Sequence, residues 1–271
     1  MLERMTKKKL SCERLHPNPA DEFCHPGVGP SFRIIGEYEK KIRKAMLYDL
    51  DPFEEPVMVE KMHPDGYLIL NGHHRWAAAM RCGAKKIPVK IVNLTQDTDI
   101  EKILRRSEHD KRVSLDLDEV VFGGEGDELL EKPLRFPKSH FYRERLVRGI
   151  PALFHFLAVH GYDIWVYTAS YYSYDYLKHF FRLHHAHVDG VITGTKRKVE
   201  ETQENREKKE RIQKLFNSSY RQNITIDRTM VLRTNPGKRE YEEYPLSGEA
   251  GSWSSEVLSV LESFEKENAH E

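Results

Sequence analysis

The sequence predicts an α/β protein of two domains: a small α+β domain, then a larger domain on a Rossmann-like parallel sheet without a large cap. Three observations carry this. From residue 113 onward, short apolar strands alternate with amphipathic helices, the order of a βαβ sheet. Before residue 95 the order is helix, hairpin, short helix, strand. Between the two lies TQDTDIEKILRRSEHDK, which reads as a linking helix capped at Asp97 or Thr98. The expected boundaries are 12–94 for the first domain, 95–110 for the linker helix and 111–271 for the second domain.

Composition excludes several classes. Lysine plus arginine equals aspartate plus glutamate at 43 each, so the chain as a whole makes no electrostatic case for nucleic acid or an anionic membrane. No apolar run approaches the ~20 residues of a membrane helix. The basic start, MLERMTKKKLSCERL, has no apolar stretch behind it and so makes no secretory signal. Three cysteines, Cys12, Cys24 and Cys82, occur without a CxxC pair, which favours a reducing, cytoplasmic location.

Along the first domain, residues 1–10 read as a frayed basic end and Leu15 to Phe32 as a Pro- and Gly-rich loop carrying Asp21 and Glu22. Gly36 to Leu50 has helical spacing, with Tyr38, Ile42, Ala45 and Met46 on one face. A hairpin follows: Val57 to Lys61, the turn HPDG, then Tyr67 to Leu70. The second strand runs into Gly72, His73, His74 and Arg75, which open a short helix ending at Gly83; a strand over Ile87 to Val92 closes the domain. A glycine-led turn at a helix N-terminus, carrying His and Arg, suits an anion, because unpaired amides and cationic side chains converge there. A plain hairpin-to-helix turn with surface histidines would show the same letters.

The stretch LILNGHHRWAAAMRCGAKKIPV resembles the GHHR or GxHR box of the ParB/sulfiredoxin superfamily, and the likeness extends over about residues 12–94. It implies a nucleotide-binding domain in which Gly72, His73, His74 and Arg75 hold phosphates of ATP, ADP or CTP. Sulfiredoxins carry a cysteine just before the His-Arg of the box. His73 stands there, which argues against sulfinic-acid repair. The free-serine kinases of the superfamily are more similar in GHHR, and their catalytic acid lies in the N-terminal loop, implying Asp21 or Glu22 as counterpart. No helix-turn-helix or coiled-coil tail is evident after the box, which disfavours chromosome partition.

The second domain opens on SLDLDEVVF, an apolar strand ending in Asp116 and Asp118. Two like charges on one strand end repel, and each loses water on burial, so such a pair usually serves a cation or a reacting group. Phe141 to Gly161 reads as one amphipathic helix, and Ile164 to Tyr167 as an apolar strand ending at Thr168. Tyr171 to Phe181 reads as a helix with a broad aromatic face. His184 and His187 have i, i+3 spacing but no third ligand nearby, and read as loop residues. Ile224 and Ile226 lead to Asp227; a Pro/Gly-rich stretch over 235–251 and a helix over Ser254 to Phe264 complete the chain.

SLDLDEVVF resembles the first motif of the haloacid dehalogenase (HAD) superfamily, and YTAS its second, in the version of the protein-phosphatase branch. The likeness implies a Mg²⁺-dependent phosphatase or phosphotransferase. Asp116 would attack phosphorus, Asp118 would act as acid and base, Thr168 would bond the phosphoryl group, and Asp116, the Asp118 carbonyl and Asp227 would hold Mg²⁺. A neutralising lysine is expected among Lys196, Lys198, Lys208 and Lys209, with helix position favouring Lys209 or Lys208. The family places a second acid beside Asp227; here Arg228 stands there. The rival reading is a nucleotide-responsive regulatory or nucleic-acid-binding protein whose HAD domain has lost turnover. The phosphorylated substrate and the oligomeric state are not legible.

Overall fold

Two mixed β-sheets organise the chain, which is α/β. The computed structural model describes residues 8–124, 129–194, 203–234, 241–247 and 251–268, with the side chains of 203–206, 208, 209 and 268 left aside. Two units divide the chain. The first comprises residues up to Leu94 with Tyr171–Tyr176 and 203–206 of the described residues; the second comprises Thr95–Ser170, 177–194 and 207 onward.

The first unit holds a five-stranded sheet in the order β1-β5-β3-β4-β2. Its strands are β1 (Lys8–Ser11), β2 (Leu15–His16), β3 (Val57–Lys61), β4 (Tyr67–Asn71) and β5 (Lys86–Val92), with helices α1 (Phe32–Leu47) and α2 (His73–Arg81). β3 and β4 form the expected hairpin, and β3 pairs with β5 in parallel. Ser31 caps α1 by accepting the Ile34 amide. Ile35 and Ile42 of α1 meet Ala78 and Ala79 of α2 over Val57, Val59, Ile69 and Val89 of the sheet. Burial of each large aliphatic side chain there stabilises the unit by about 1.5–3 kcal/mol. The basic end expected to fray supplies β1: Lys8–Ser11 pair antiparallel with Lys86–Val89, which covers an otherwise unpaired edge.

The second unit holds a six-stranded sheet, β11-β10-β9-β6-β7-β8. Parallel strands β6 (Lys111–Asp116), β7 (Tyr162–Tyr167), β8 (Gly190–Ile192) and β9 (Gln222–Ile226) are extended by antiparallel β10 (Met230–Thr234) and β11 (Tyr241–Pro245). Helices α3 (Asp97–Arg106), α4 (Lys138–Phe141), α5 (Ile150–Val159), α6 (Tyr174–Leu183), α7 (Gln203–Ser219) and α8 (Trp253–Asn268) complete the chain. β6 is paired on both sides, so Val113 and Leu115 are fully buried. Gly190 is required where β8 crosses the Trp165 ring, since a Cβ there would lie 2.1 Å from ring carbon Cε3.

Four local expectations are revised. The expected linker helix is α3, and it packs Ile100 and Leu104 against Trp165, Phe216 and Tyr220 in the second unit. The helix expected from Phe141 begins only at Ile150, because Gly149 turns left-handed (φ 91°) and Pro151 sets the first turn. Before it, Leu146 and Val147 bridge back to Phe122 and Leu130. The strand expected to end at Asp227 does so, but a second strand, β10, follows it directly: the Asp227 amide donates to Met230 O across a reversal at 2.9 Å. The Pro/Gly-rich tail contributes β11.

Candidate functional site

In the first unit the site is the turn between β4 and α2. Gly72 adopts φ 98°, a left-handed conformation that L side chains rarely take. A Cβ there would also sit 3.2 Å from both Arg75 Nη2 and Val57 Cγ2. The turn aims the first-turn amides of α2, which lack intrahelical acceptors, in one direction.

Both histidines lock the N-terminal loop to this turn. His73 is buried, and its Nε2 accepts the Asn18 amide at 3.1 Å; His74 Nε2 accepts the Ser31 amide at 3.0 Å. Phe23 stacks on His73 and meets His74 edge-on. Burial holds both imidazoles below the usual histidine range, opposed by the Asp21 carboxylate, whose Oδ1 lies 3.6 Å from His73 Nδ1. The cation of the turn is therefore Arg75. It donates to the Glu55 and Pro56 carbonyls at 2.9 and 3.2 Å and pairs with the Glu55 carboxylate at 3.1 Å. Of the two loop acids, Asp21 faces the histidines, and Glu22 is exposed. Arg75 also forms part of a cleft of about 390 Å³ with Tyr38, Lys41, Lys44, Tyr48 and Phe53.

In the second unit the site lies at the carboxyl ends of β6 and β9. The chain runs β6, β7, β8 to one side of β6, then crosses to β9 on the other. Crevices for ligands form at such a reversal in strand order. Asp116 and Asp227 each stand one position beyond the paired residues Leu115 and Ile226, so the reversal is flanked by two carboxylates. A single π-turn, Leu117–Val121, follows Asp116, closed by Phe122 N–H donating to Leu117 O at 2.8 Å. Single π-turns are frequent at functional sites.

The π-turn orders the carboxylates. Asp116 Oδ1 accepts the amides of Asp118 and Glu119 at 2.8 and 2.9 Å, and Oδ2 takes part in neither bond. Asp118 Oδ2 accepts the hydroxyl of Thr168 at 2.6 Å and that of Ser170 at 3.3 Å. Thr168 is fully buried at the end of β7. Burial and the neighbouring charges of Asp116, Asp227 and Glu119 raise the Tyr167 phenol above its ordinary value, so it stays protonated. Asp227 Oδ1 accepts the Arg228 amide, and Arg228 Nε donates to the Glu119 carbonyl.

Asp116, Asp118, Thr168 and Asp227 are thus brought to one sheet end, and Gly72, His73, His74 and Arg75 to one turn. Lys196 and Lys198, and the side chains of Lys208 and Lys209, lie outside the described residues. Among the described residues no group of three or more His, Cys, Asp or Glu side chains could hold a metal ion. The expected Mg²⁺ set comprises two carboxylates and one main-chain carbonyl, all hard oxygen donors, and fits that cation by donor type. Sequence reading missed Ser170, Asn18 and Trp253, whose Nε1 donates to the Asp227 carbonyl at 3.1 Å. The Ser of YTAS is the one signal that could have found Ser170.

The ParB N-terminal domain family model matches residues 51–107. That span contains β3, β4, the GHHR turn, α2 and β5, so this region is ParB-like. No curated protein matches the chain. Among solved structures, the chain is similar to the C-terminally truncated chromosome-partitioning protein ParB from Caulobacter crescentus complexed with CTP-γ-S. Identity is 22% over 39% of this chain and 56% of that one, with a TM-score of 0.27. It is also similar to sulfiredoxin from Arabidopsis thaliana, at 19% identity over 34% of this chain and 91% of that one, TM-score 0.27. A free serine kinase variant in complex with AMP aligns at 14% identity over 89% of this chain and 92% of that one, TM-score 0.25. Among the described residues, no helix is long and apolar enough to cross a membrane.

Proposed function

We propose that the chain is a two-module enzyme: a nucleotide-binding ParB-like domain joined to a Mg²⁺-dependent, HAD-type phosphatase or phosphotransferase. The observation that carries it is the placing of Asp116 and Asp227 at the reversal of strand order, with Asp118 held by Thr168. Asp116 Oδ2 attacks phosphorus, the bond from phosphorus to the ester oxygen breaks, and the proton of Asp118 passes to the leaving oxygen. Asp118 then takes a proton from water. The resulting hydroxide attacks phosphorus, and the bond from phosphorus to Asp116 breaks, restoring the carboxylate. The Thr168 and Ser170 hydroxyls keep Asp118 aimed through both steps. Mg²⁺, held by Asp116, Asp227 and the Asp118 carbonyl, would neutralise the charge of the phosphoryl oxygens.

Support for the nucleotide comes from the cleft beside the GHHR turn. Tyr38, Tyr48 and Phe53 offer faces for a base, and Lys41, Lys44 and Arg75 offer charge for phosphates beside the acids Asp51, Glu54 and Glu55, so a phosphate would have to displace Glu55 from Arg75. ATP, ADP and CTP are the candidates. A second reading, a regulatory or nucleic-acid-binding protein with an inactive second domain, draws on Arg228 beside Asp227, where an added cation disfavours a metal.

The test is hydrolysis of a panel of phosphate esters with Mg²⁺ by wild type and Asp116→Asn. Turnover lost in the variant supports the enzyme; an inert wild type favours the second reading. Calorimetry with ATP, ADP and CTP, with Arg75→Ala as control, tests the first domain. No heat with any of them removes that half.

A further inference from the structure

We infer that the second unit takes a phosphate ester carrying a second phosphate, held in a cationic groove beside Asp227; this rests on Asp116 as phosphoryl acceptor. Two adjoining hollows, of about 410 and 840 Å³, share Leu129, Glu131 and Arg148 and so form one groove. At one end stands Trp253, whose indole N–H is bonded to the Asp227 carbonyl at 3.1 Å, which ties the groove to the carboxylate end of β9. At the other end are Lys132, His184 and His185.

The charges decide the ligand's sign. Arg148, Lys132 and His185 are exposed, and among the described residues neither Arg148 nor Lys132 has an ion-pair partner. The groove's acid, Glu131, turns Oε1 to the Gly149 amide at 2.9 Å, an attachment within its own wall. His184 Nε2 is enclosed, so this imidazole forms wall and offers the ligand no charge. Two exposed cations without ion-pair partners among the described residues, Arg148 and Lys132, along one groove complement an anion. The reacting phosphate occupies the carboxylate end, so the groove offers its charge to a second anionic group on the same molecule.

The experiment compares butyl phosphate with 1,4-butanediol bisphosphate by calorimetry, using full-length Asp116→Asn protein with Mg²⁺ to prevent turnover. The bisphosphate should bind about tenfold more tightly, the worth of one charge-assisted contact. Adding Arg148→Ala and Lys132→Ala should bring the two ligands level, and Arg148→Lys should keep most of the difference. Equal affinities at the outset, or a difference that survives both alanines, overturn the groove. Hydrolysis of p-nitrophenyl phosphate by wild type separates the two claims. If that is absent while selective binding persists, the phosphatase reading falls and the groove stands. If neither ester binds, the groove falls, and wild-type hydrolysis alone decides the phosphatase reading.

Discussion

The Thr168 hydroxyl donates to Asp118 Oδ2 at 2.6 Å from a side chain with no exposed surface. A buried donor fixed by β7 holds a carboxylate carried on the turn after β6, and this joins two parallel strands into one chemical unit. Replacing Thr168 with Val keeps the shape and removes the donor. A hydrogen bond to a charged group contributes about 1.5–3 kcal/mol, so kcat on a phosphate ester should fall about 10- to 100-fold. Steady-state kinetics checks this, and an unchanged kcat would remove Thr168 from the mechanism.

Arg228 occupies the position where a second acid would strengthen the proposed Mg²⁺ site. Arg228→Asp exchanges a positive for a negative charge beside Asp227, and should lower the Mg²⁺ concentration for half-maximal activity about tenfold. Titrating Mg²⁺ into chelator-treated protein reads this directly. Chelation itself should abolish turnover in both forms.

His73 and His74 are held below the ordinary histidine value, chiefly by burial. The unfolded chain therefore binds protons that the folded chain refuses. Their contribution is complete above the unfolded histidine value and is lost as pH falls through it toward the folded value, at up to about 1.4 kcal/mol per pH unit for each histidine. Thermal melting should show the first unit losing stability from pH 7.5 to 5.5. His73→Gln should flatten the slope, and a slope unaltered by that change would refute the assignment.

Gly190 lies against the Trp165 ring. Gly190→Ala forces a methyl group into a rigid indole and should destabilise the second unit by at least about 2 kcal/mol. Chemical denaturation of the full chain measures it. A variant as stable as wild type would mean that β8 shifts freely.

In the second unit the ends of the strands were legible, because apolar runs stop at Asp116, Thr168 and Asp227; the roles given to these residues came from the resemblance and not from βαβ order. Trp253 was not legible, because its meeting with Asp227 depends on where α8 docks after an antiparallel extension of the sheet. In the first unit, Gly72 was legible from the strand-to-helix change. The histidines read as ligands, yet their Nε2 atoms accept amides of a loop over forty residues upstream. Such tertiary hydrogen bonds leave no periodic trace. The early start of α1, at Phe32, follows from the Ser31 cap, a local signal passed over in favour of Gly36.

β6 pairs with β9, which follows it by about a hundred residues, and the two carboxylates at the reversal meet only through that pairing. Such non-local contacts form late, because closing a long loop precedes any gain from it. During synthesis, Asp116 and Asp118 emerge well before the partner that completes them. A partly made chain would hold the GHHR turn, while the sheet end that carries Asp116 would still lack one of its walls. On this timing the proposed phosphoryl site is assembled only once β9 has joined the sheet.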